Sequence, residues 1–383
     1  MRSIAGILAI LSALIPAQGQ PGDYASDSLA VRAILDSCVR PSYDSNGQRL
    51  IIPVDRPSLT SKANGRIEYL NLNLMFRNGN GISESQMLIF GRSLGKLTAL
   101  KGLNLQSNNL KRVPEELFTL DSLRQLSLTD NDTGVISPRL SELKSLVALS
   151  LFGMSPLLTT VPRVIFDIPK LVSLDLGGNA IVELPREIGT MTNLVWLDLV
   201  FNLIASIPEE IGNLESLYDL ELWHNQITTL PATIGRLNQL KYITLEENAL
   251  HRLPDSIVLL NTRKAFFGGN YLCSLSCPIQ QWLDARASSF SSNSDSWRDA
   301  QDCSILPVPI CSSLVSSQKR NAFRLSSGNI PAILFDIRGR AIRAYANSNG
   351  HRQTQLLSSG IYIKKHMDSE KGSINLTAIL HSQ

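Results

Sequence analysis

Aromatic residues make up only 6% of the 383-residue chain, and charged residues only 18%. So low a charge density, beside 43% apolar residues, excludes a disordered acidic or basic polymer. Histidines number five, and 36 Lys and Arg against 33 Asp and Glu is too small an excess over this length to point to nucleic acid. Catalytic signatures are missing too: there is no G-x-S-x-G elbow, no H-E-x-x-H, no P-loop and no paired-glycine dinucleotide turn. Gly268-Gly269 reads as a turn in the last repeat. A Ser-His-Asp arrangement has no sequence signature of its own, since its members meet only in space. No apolar run reaches the roughly 18 residues that a membrane-spanning helix needs. Cysteines number five, and no Leu-x-x-Cys lipobox follows the N-terminus.

What is present begins with a leader. Arg2 precedes an apolar stretch, Ile4 to Ile15, and then Pro16 and the small-residue site Ala17-Gln18-Gly19. Charge, short apolar run and small-residue site are the layout of a secretory signal peptide over residues 1–19. The expectation is a secreted or cell-surface protein with no transmembrane segment in the mature chain. Cysteine usage agrees: Cys273, Cys277, Cys303 and Cys311 cluster late, at spacings that fit no familiar zinc arrangement. Two disulfides are the expectation in an oxidising compartment, with three pairings open, and no metal is expected. Cys38 is left over, as a buried thiol or a site of intermolecular pairing.

From Leu100 the sequence repeats. The segment Leu100-Lys-Gly-Leu103-Asn-Leu105-Gln-Ser-Asn108 recurs at Leu123, Leu146, Leu171, Leu194, Leu217 and Leu240. The general form is L-x-x-L-x-L-x-x-N-x-L-x-x-L-P-x-x-I-G-x-L, and seven copies hold one register. The pattern is identified as the leucine-rich repeat. A repeat of this kind cannot bury its apolar face alone, so successive coils must stack. In one copy Leu197 and Leu199 alternate inward on a short strand, Asn202 turns the chain, Ile204 and Ile207 return it to the core, and Pro208 opens a short helical turn with Glu209 and Glu210 near its positive end. The fold class expected is α/β: a leucine-rich repeat solenoid over residues 67–271 with parallel strands on its concave face. Asn108, Asn131, Asn179, Asn202, Asn225, Asn248 and, in a looser last copy, Asn270 fall where their amides can bond the backbone of neighbouring coils as a structural ladder. Met154 stands where an eighth asparagine belongs, beside two extra residues around Ser155-Pro156-Leu157. That is a lost ladder partner, and either a tolerated loop insertion or a bulge that shapes a binding edge.

Open solenoid ends need caps. Val31, Ile34, Leu35 and Cys38 lie at helical spacing, Asp27 is placed as an N-cap and Pro41 follows, so residues 20–66 are expected to form a helical N-terminal cap. A degenerate first strand is expected over Ile67 to Leu72, and residues 73–99 depart from the period. Residues 272–311 resemble the cysteine-containing C-terminal flanks of extracellular leucine-rich repeat proteins, although those usually begin with closer cysteines.

Residues 312–383 carry 10 basic and 3 acidic groups, against 26 and 30 in the rest of the chain. Alternating apolar segments there, separated by Gly, Asn and Ser, indicate a small all-β sandwich. Leu334-Phe-Asp-Ile-Arg-Gly339-Arg340 and Leu357-Ser-Ser-Gly360-Ile-Tyr362 resemble the C-terminal sorting domain of bacterial type IX secretion substrates. The family often ends in Lys or Arg, whereas this chain ends His381-Ser-Gln383. The resemblance implies that outer-membrane export machinery is a partner.

The concave face is where the repeats vary. Positions 3, 5, 7 and 8 of the early copies give small or polar residues, such as Gly102, Gln125, Ser127 and Ala148. The middle copies supply Asp175, Trp196, Asp198, Phe201, Asp219, Glu221, Trp223, His224, Tyr242, Glu246 and Glu247. Rings beside carboxylates suit a ligand-binding patch: a basic peptide through ion pairs and cation–π contacts, or a polysaccharide through stacking and hydroxyl hydrogen bonds. The expectation is a non-enzymatic binding protein with no cofactor and a protein, peptide or polysaccharide ligand. A secreted hydrolase, or an inhibitor of one, in which the solenoid positions substrate is the rival reading.

Overall fold

The computed structural model describes residues 24–39, 59–63, 65–76 and 82–286, together with the short strands 42–43, 49–50, 334–335, 341–342, 360–368 and 373–381. The leader, Cys303 and Cys311 lie outside the described residues. The chain divides into two compact units, Met1–Cys311 and Ser312–Gln383.

The first unit opens with helix α1 (Tyr24–Cys38), which buries Ala30, Val31, Ile34, Leu35 and Cys38. Asp27 does not cap it. The helix starts a full turn earlier, and Asp27, 1% exposed, is spent on joining the cap to the sheet. Its carboxylate accepts from Arg66 Nε at 2.8 Å and from the backbone N–H of Ile67 at 2.9 Å. A short antiparallel pair, β1 (Ser42–Tyr43) and β2 (Arg49–Leu50), follows. Strands β3 (Thr60–Ala63) and β4 (Arg66–Asn71) then form an antiparallel hairpin at the start of the main sheet.

Residues 73–99, irregular by period, hold helix α2 (Glu84–Leu94). Ser83 and Gln86 close a reciprocal capping box at its start, with Gln86 N donating to Ser83 Oγ and Ser83 N to Gln86 Oε1. Met87, Phe90 and Leu94 face inward, and Phe90 meets Phe76 edge to face at 5.2 Å. Helix α2 packs on α1. The Gln86 amide donates to Ser37 O at 2.7 Å, and the buried Cys38 thiol approaches Gln86 O at 3.4 Å. Burial pushes that thiol up to about 11, so it is inert rather than nucleophilic.

Eight three-residue strands come next: β5 (Gly102–Asn104), β6 (Gln125–Ser127), β7 (Ala148–Ser150), β8 (Ser173–Asp175), β9 (Trp196–Asp198), β10 (Asp219–Glu221), β11 (Tyr242–Thr244) and β12 (Lys264–Phe266). With β4 they make nine parallel strands in one open sheet, in sequence order and in unbroken register. The central residue of each of these eight strands is apolar and buried, as are Leu197, Leu220 and Ile243. The opposite side of each coil carries a single 3₁₀ turn, most of them preceded by proline at the N-cap, as in Pro208 before Glu209–Asn213. These turns pack tightly enough that glycine is required. A Cβ on Gly212 would sit 2.6 Å from the Thr233 carbonyl oxygen of the next coil.

The asparagines run along one edge of the core. Asn202 Nδ2 donates to Leu176 O of the preceding coil and to Leu199 O and Val200 O of its own, while its Oδ1 accepts from Ile181 N. Asn225 and Asn248 repeat the pattern, and Asn270 does so in the last coil. Asn108, Asn131 and Asn179 also donate across coils. At the break Met154 is fully buried, and in the coil before it the hydroxyl of Thr133 is buried with no hydrogen-bond partner.

Helix α3 (Cys277–Arg286) closes the far end. It lays Ile279, Trp282 and Leu283 over the last coil, and Trp282 Nε1 donates to Leu260 O at 3.0 Å. In the second unit β13 (Leu334–Phe335) pairs antiparallel with β14 (Ala341–Ile342), and β15 (Gly360–Asp368) pairs antiparallel with β16 (Ser373–His381) over nine residues.

Candidate functional site

Register places the acidic and aromatic residues of the middle coils side by side. Asp175, Asp198 and Glu221 are direct neighbours on β8, β9 and β10, about 4.8 Å apart as parallel strands require. Two residues earlier Ser173, Trp196 and Asp219 on the same strands, with Tyr242 on β11, form a second row. Because side chains alternate along a strand, both rows share the concave face.

Carboxylates at the strand ends have a local task as well. Asp198 Oδ1 accepts from Val200 N at 2.9 Å and Asp175 Oδ1 from Gly177 N at 3.0 Å, the same turn that Asn104 makes with Gln106 N. Asp175 also accepts from Ser150 Oγ at 2.8 Å, which in turn meets Thr129 Oγ1 at 2.7 Å. This crowding has an electrostatic consequence. Burial first, then the charge of Asp175, with smaller contributions from Glu221 and Asp219, pushes Asp198 up to about 8. Burial likewise raises Asp175, against the Ser150 and Gly177 hydrogen bonds.

Three of the expected contact residues are buried rather than presented. Asp175 is 2% exposed, Glu246 3% and Trp196 6%. Asp175 is held by Ser150 and Gly177. Asp198, Asp219, Glu221, Trp223 and Tyr242 are half-buried, and Phe201, His224 and Glu247 are exposed. The structure therefore divides the list into a buried floor and an exposed rim.

The rim is a cluster of rings. Phe201 meets Trp223 edge to face at 4.7 Å and His224 at 4.8 Å, and Trp223 stacks on His224 at 5.5 Å with planes 22° apart. Tyr242 joins instead with Tyr218, at 5.7 Å, in the earlier row. Position 8 of each copy turns through the left-handed region, which explains the glycines Gly153, Gly178 and Gly269 there. Phe201 and His224 occupy the same position at φ 53° and 59°, a conformation that bulky residues seldom adopt. Phe152 extends the apolar strip: its ring lies over Gly177 and Gly178, where any Cβ would come within 2.8 Å of it. Sequence reading missed Phe152 and Tyr218, although position 7 is already a concave position and the paired glycines mark a close approach.

Two donors in this region lack acceptors. The indole Nε1 atoms of Trp196 and Trp223 are buried with no hydrogen-bond partner in the chain, which is uncommon for buried tryptophan. Among the described residues no group of three or more His, Cys, Asp or Glu is placed to hold a metal ion, and no helix is long and apolar enough to cross a membrane.

Residues 192–250 match the model of the family described as Leucine rich repeat. A leucine-rich repeat protein of Leptospira interrogans is similar in structure, with 31% identity and a TM-score of 0.51 over 57% of this chain and 53% of that one. The leucine-rich repeat ectodomain of the plant membrane receptor kinase GASSHO1/SCHENGEN3 from Arabidopsis thaliana, in complex with CASPARIAN STRIP INTEGRITY FACTOR 2, is 25% identical with a TM-score of 0.50 over 68% of this chain and 34% of that one. The chain thus spans about half the length of the first and a third of the second. No curated protein matches the sequence. Repeat period, nine-stranded parallel sheet and these likenesses together give the described repeats of the first unit the fold of a leucine-rich repeat solenoid.

Proposed function

We propose that the chain is a secreted or surface-attached, non-enzymatic binding protein of a bacterium that recognises a protein, peptide or polysaccharide through its concave face. The observation that carries this reading is the rim of touching rings, Phe201, Trp223 and His224, set beside the carboxylate row on three successive coils. Exposed rings in mutual contact supply rigid area for a partner and gain nothing from solvent. The plant ectodomain similar to this one was solved in complex with a named factor, which favours a protein or peptide partner over a solenoid that merely spaces domains.

Export rests on the leader at residues 1–19, on the sorting-domain phrases near Gly339 and Gly360, and on Cys273 and Cys277, both half-cystines. Disulfides form and persist outside the cytosol. In this reading the second unit engages outer-membrane export machinery.

The test is affinity capture from cell-surface extracts on the full mature chain, followed by titration of the captured ligand. The Trp223→Ala variant should bind it about 2 kcal/mol more weakly, roughly thirtyfold in Kd. Equal binding by parent and variant would place the site elsewhere, along the early copies or at the Met154 break.

A further inference from the structure

We propose that the concave face carries a second site, on β4 to β7, for a neutral polysaccharide: a sugar ring packs on Tyr69 while its hydroxyls bond the side chains of Asn104, Gln125 and Ser127. The site stands apart from the ring cluster and the carboxylates of the middle coils, and does not depend on them.

Register assembles it. Tyr69, Gly102, Gln125 and Ala148 are direct neighbours on β4 to β7, and Asn71, Asn104, Ser127 and Ser150 form the row two residues on. None of the eight is charged. The next strand opens the acidic half of the face with Asp175, beside Ser150. These eight residues offer no charge and, Tyr69 apart, no large apolar side chain, so they lack the anchors that a protein interface uses. What they do offer is one ring among amides and hydroxyls.

Glycine sets that ring in place. A Cβ at Gly102 would stand 2.4 Å from Cδ1 of Tyr69 and 3.4 Å from Oε1 of Gln125. The missing side chain thus lets a ring and an amide meet over one spot, and both residues stay half-exposed. A pyranose matches that pairing. Its C–H face packs on an aromatic ring, and its hydroxyls need donors and acceptors at the edge.

A relay of hydroxyls supplies the acceptor. Ser150 Oγ donates to Asp175 Oδ2 at 2.8 Å. A hydroxyl has one proton to give, so in the 2.7 Å contact between Thr129 Oγ1 and Ser150 Oγ the donor is Thr129. Ser127 Oγ donates in turn to Thr129 Oγ1 at 3.2 Å. Asp175, Ser150 and Thr129 are buried, whereas Ser127 is half-exposed. The chain therefore runs one way and leaves the Ser127 oxygen, its proton committed, to accept from a ligand. Asn104 is the complement. Its Oδ1 is taken by Gln106 N at 2.9 Å, which leaves the amide N–H groups to donate. Asn104 and Ser127 face each other across adjacent strands about 4.8 Å apart. Donor beside acceptor suits a ligand whose groups both give and take hydrogen bonds, as sugar hydroxyls do.

The experiment titrates the full mature chain by calorimetry with cellohexaose, chitohexaose and blocked hexaglutamine, at low and at high salt. At least one hexasaccharide is expected to bind, equally at both salts because no ion pair is made. Tyr69→Ala should weaken it about tenfold and Ser127→Ala about threefold, as the loss of a ring contact and of one hydrogen bond imply. Gly102→Val, which displaces the Tyr69 ring, should act like Tyr69→Ala, and Trp223→Ala should change nothing. The proposal falls if neither hexasaccharide binds, if hexaglutamine binds as tightly, or if binding weakens with salt. Hexasaccharide binding that is lost in Trp223→Ala and kept in Tyr69→Ala would overturn this second site and leave the ring cluster as the binding surface. Binding untouched by either variant would overturn both. Should Tyr69→Ala fail to fold, Ser127→Ala and Gln125→Ala decide.

Discussion

At the scale of single residues, the structure is governed by where buried backbone groups find partners. Each coil closes on carbonyls that point inward with no strand beside them, and one asparagine amide satisfies several at once. Asn202 serves Leu176, Leu199 and Val200 as donor and Ile181 as acceptor. Asn202→Ala is therefore expected to cost about 1–3 kcal/mol in urea denaturation, because the orphaned groups stay buried. Unchanged stability would mean that the ladder carries no weight. Thr133 gives the opposite sign. Its hydroxyl is buried with no hydrogen-bond partner. Thr133→Val keeps the shape and removes the unsatisfied group, so the expected change is a gain of about 1 kcal/mol. A loss in the same assay would show that the hydroxyl is served by solvent after all.

Among elements, the close registered strands explain both the site and its pH response. Asp198 keeps its proton up to about 8 when folded, against the ordinary 3.8 of an aspartate in water. Between those values the native state binds one proton more than the unfolded chain, so this residue's contribution to stability falls as pH rises through the window. The melting temperature of the parent should drop between about pH 5 and about pH 8.5, and Asp198→Asn should flatten that drop. Asparagine is a fair replacement because Asn104 already makes the same turn with Gln106 N. An identical pH profile for both proteins would place the titration elsewhere.

The same elements show what the sequence could reveal. A period kept over seven copies specifies strand register, so the rows Asp175–Asp198–Glu221 and Trp196–Asp219–Tyr242 could be written down from spacing alone. Depth could not. Trp196 sinks into the floor while Trp223, at another repeat position, stays at the rim, and that depends on neighbours across the sheet. Helix α2 was hidden because it interrupts the period, although the Ser83 to Gln86 capping box and the spacing of Met87, Phe90 and Leu94 carry a helical signal. Asp27 looked like a helix cap because the nearest apolar stripe starts after it. Its real partner, Arg66, lies 39 residues away.

For the whole molecule, the governing fact is that a solenoid is stabilised by contacts between neighbouring coils. Its ends are closed within the first unit, by α1 and α2 at one side and by α3, with Trp282 on Leu260, at the other. Residues 312–383 form a separate compact unit. A chain ending at Cys311 should then unfold at the same temperature as the full chain, within about 2 °C, since a loss of 1 kcal/mol would shift a domain of this size by roughly that much. Its fate in the cell should differ, because the removed residues carry the Gly339 and Gly360 phrases and the basic excess. Surface delivery of the full chain and periplasmic retention of the shortened one, read by protease accessibility on intact cells, is the expected pair of outcomes. Normal delivery of the shortened chain would sink the sorting role of the second unit. A lowered melting temperature would show instead that the second unit acts as part of the solenoid's cap, and a stable chain that stays inside separates folding from export, assigning the first to the repeats and the second to the tail.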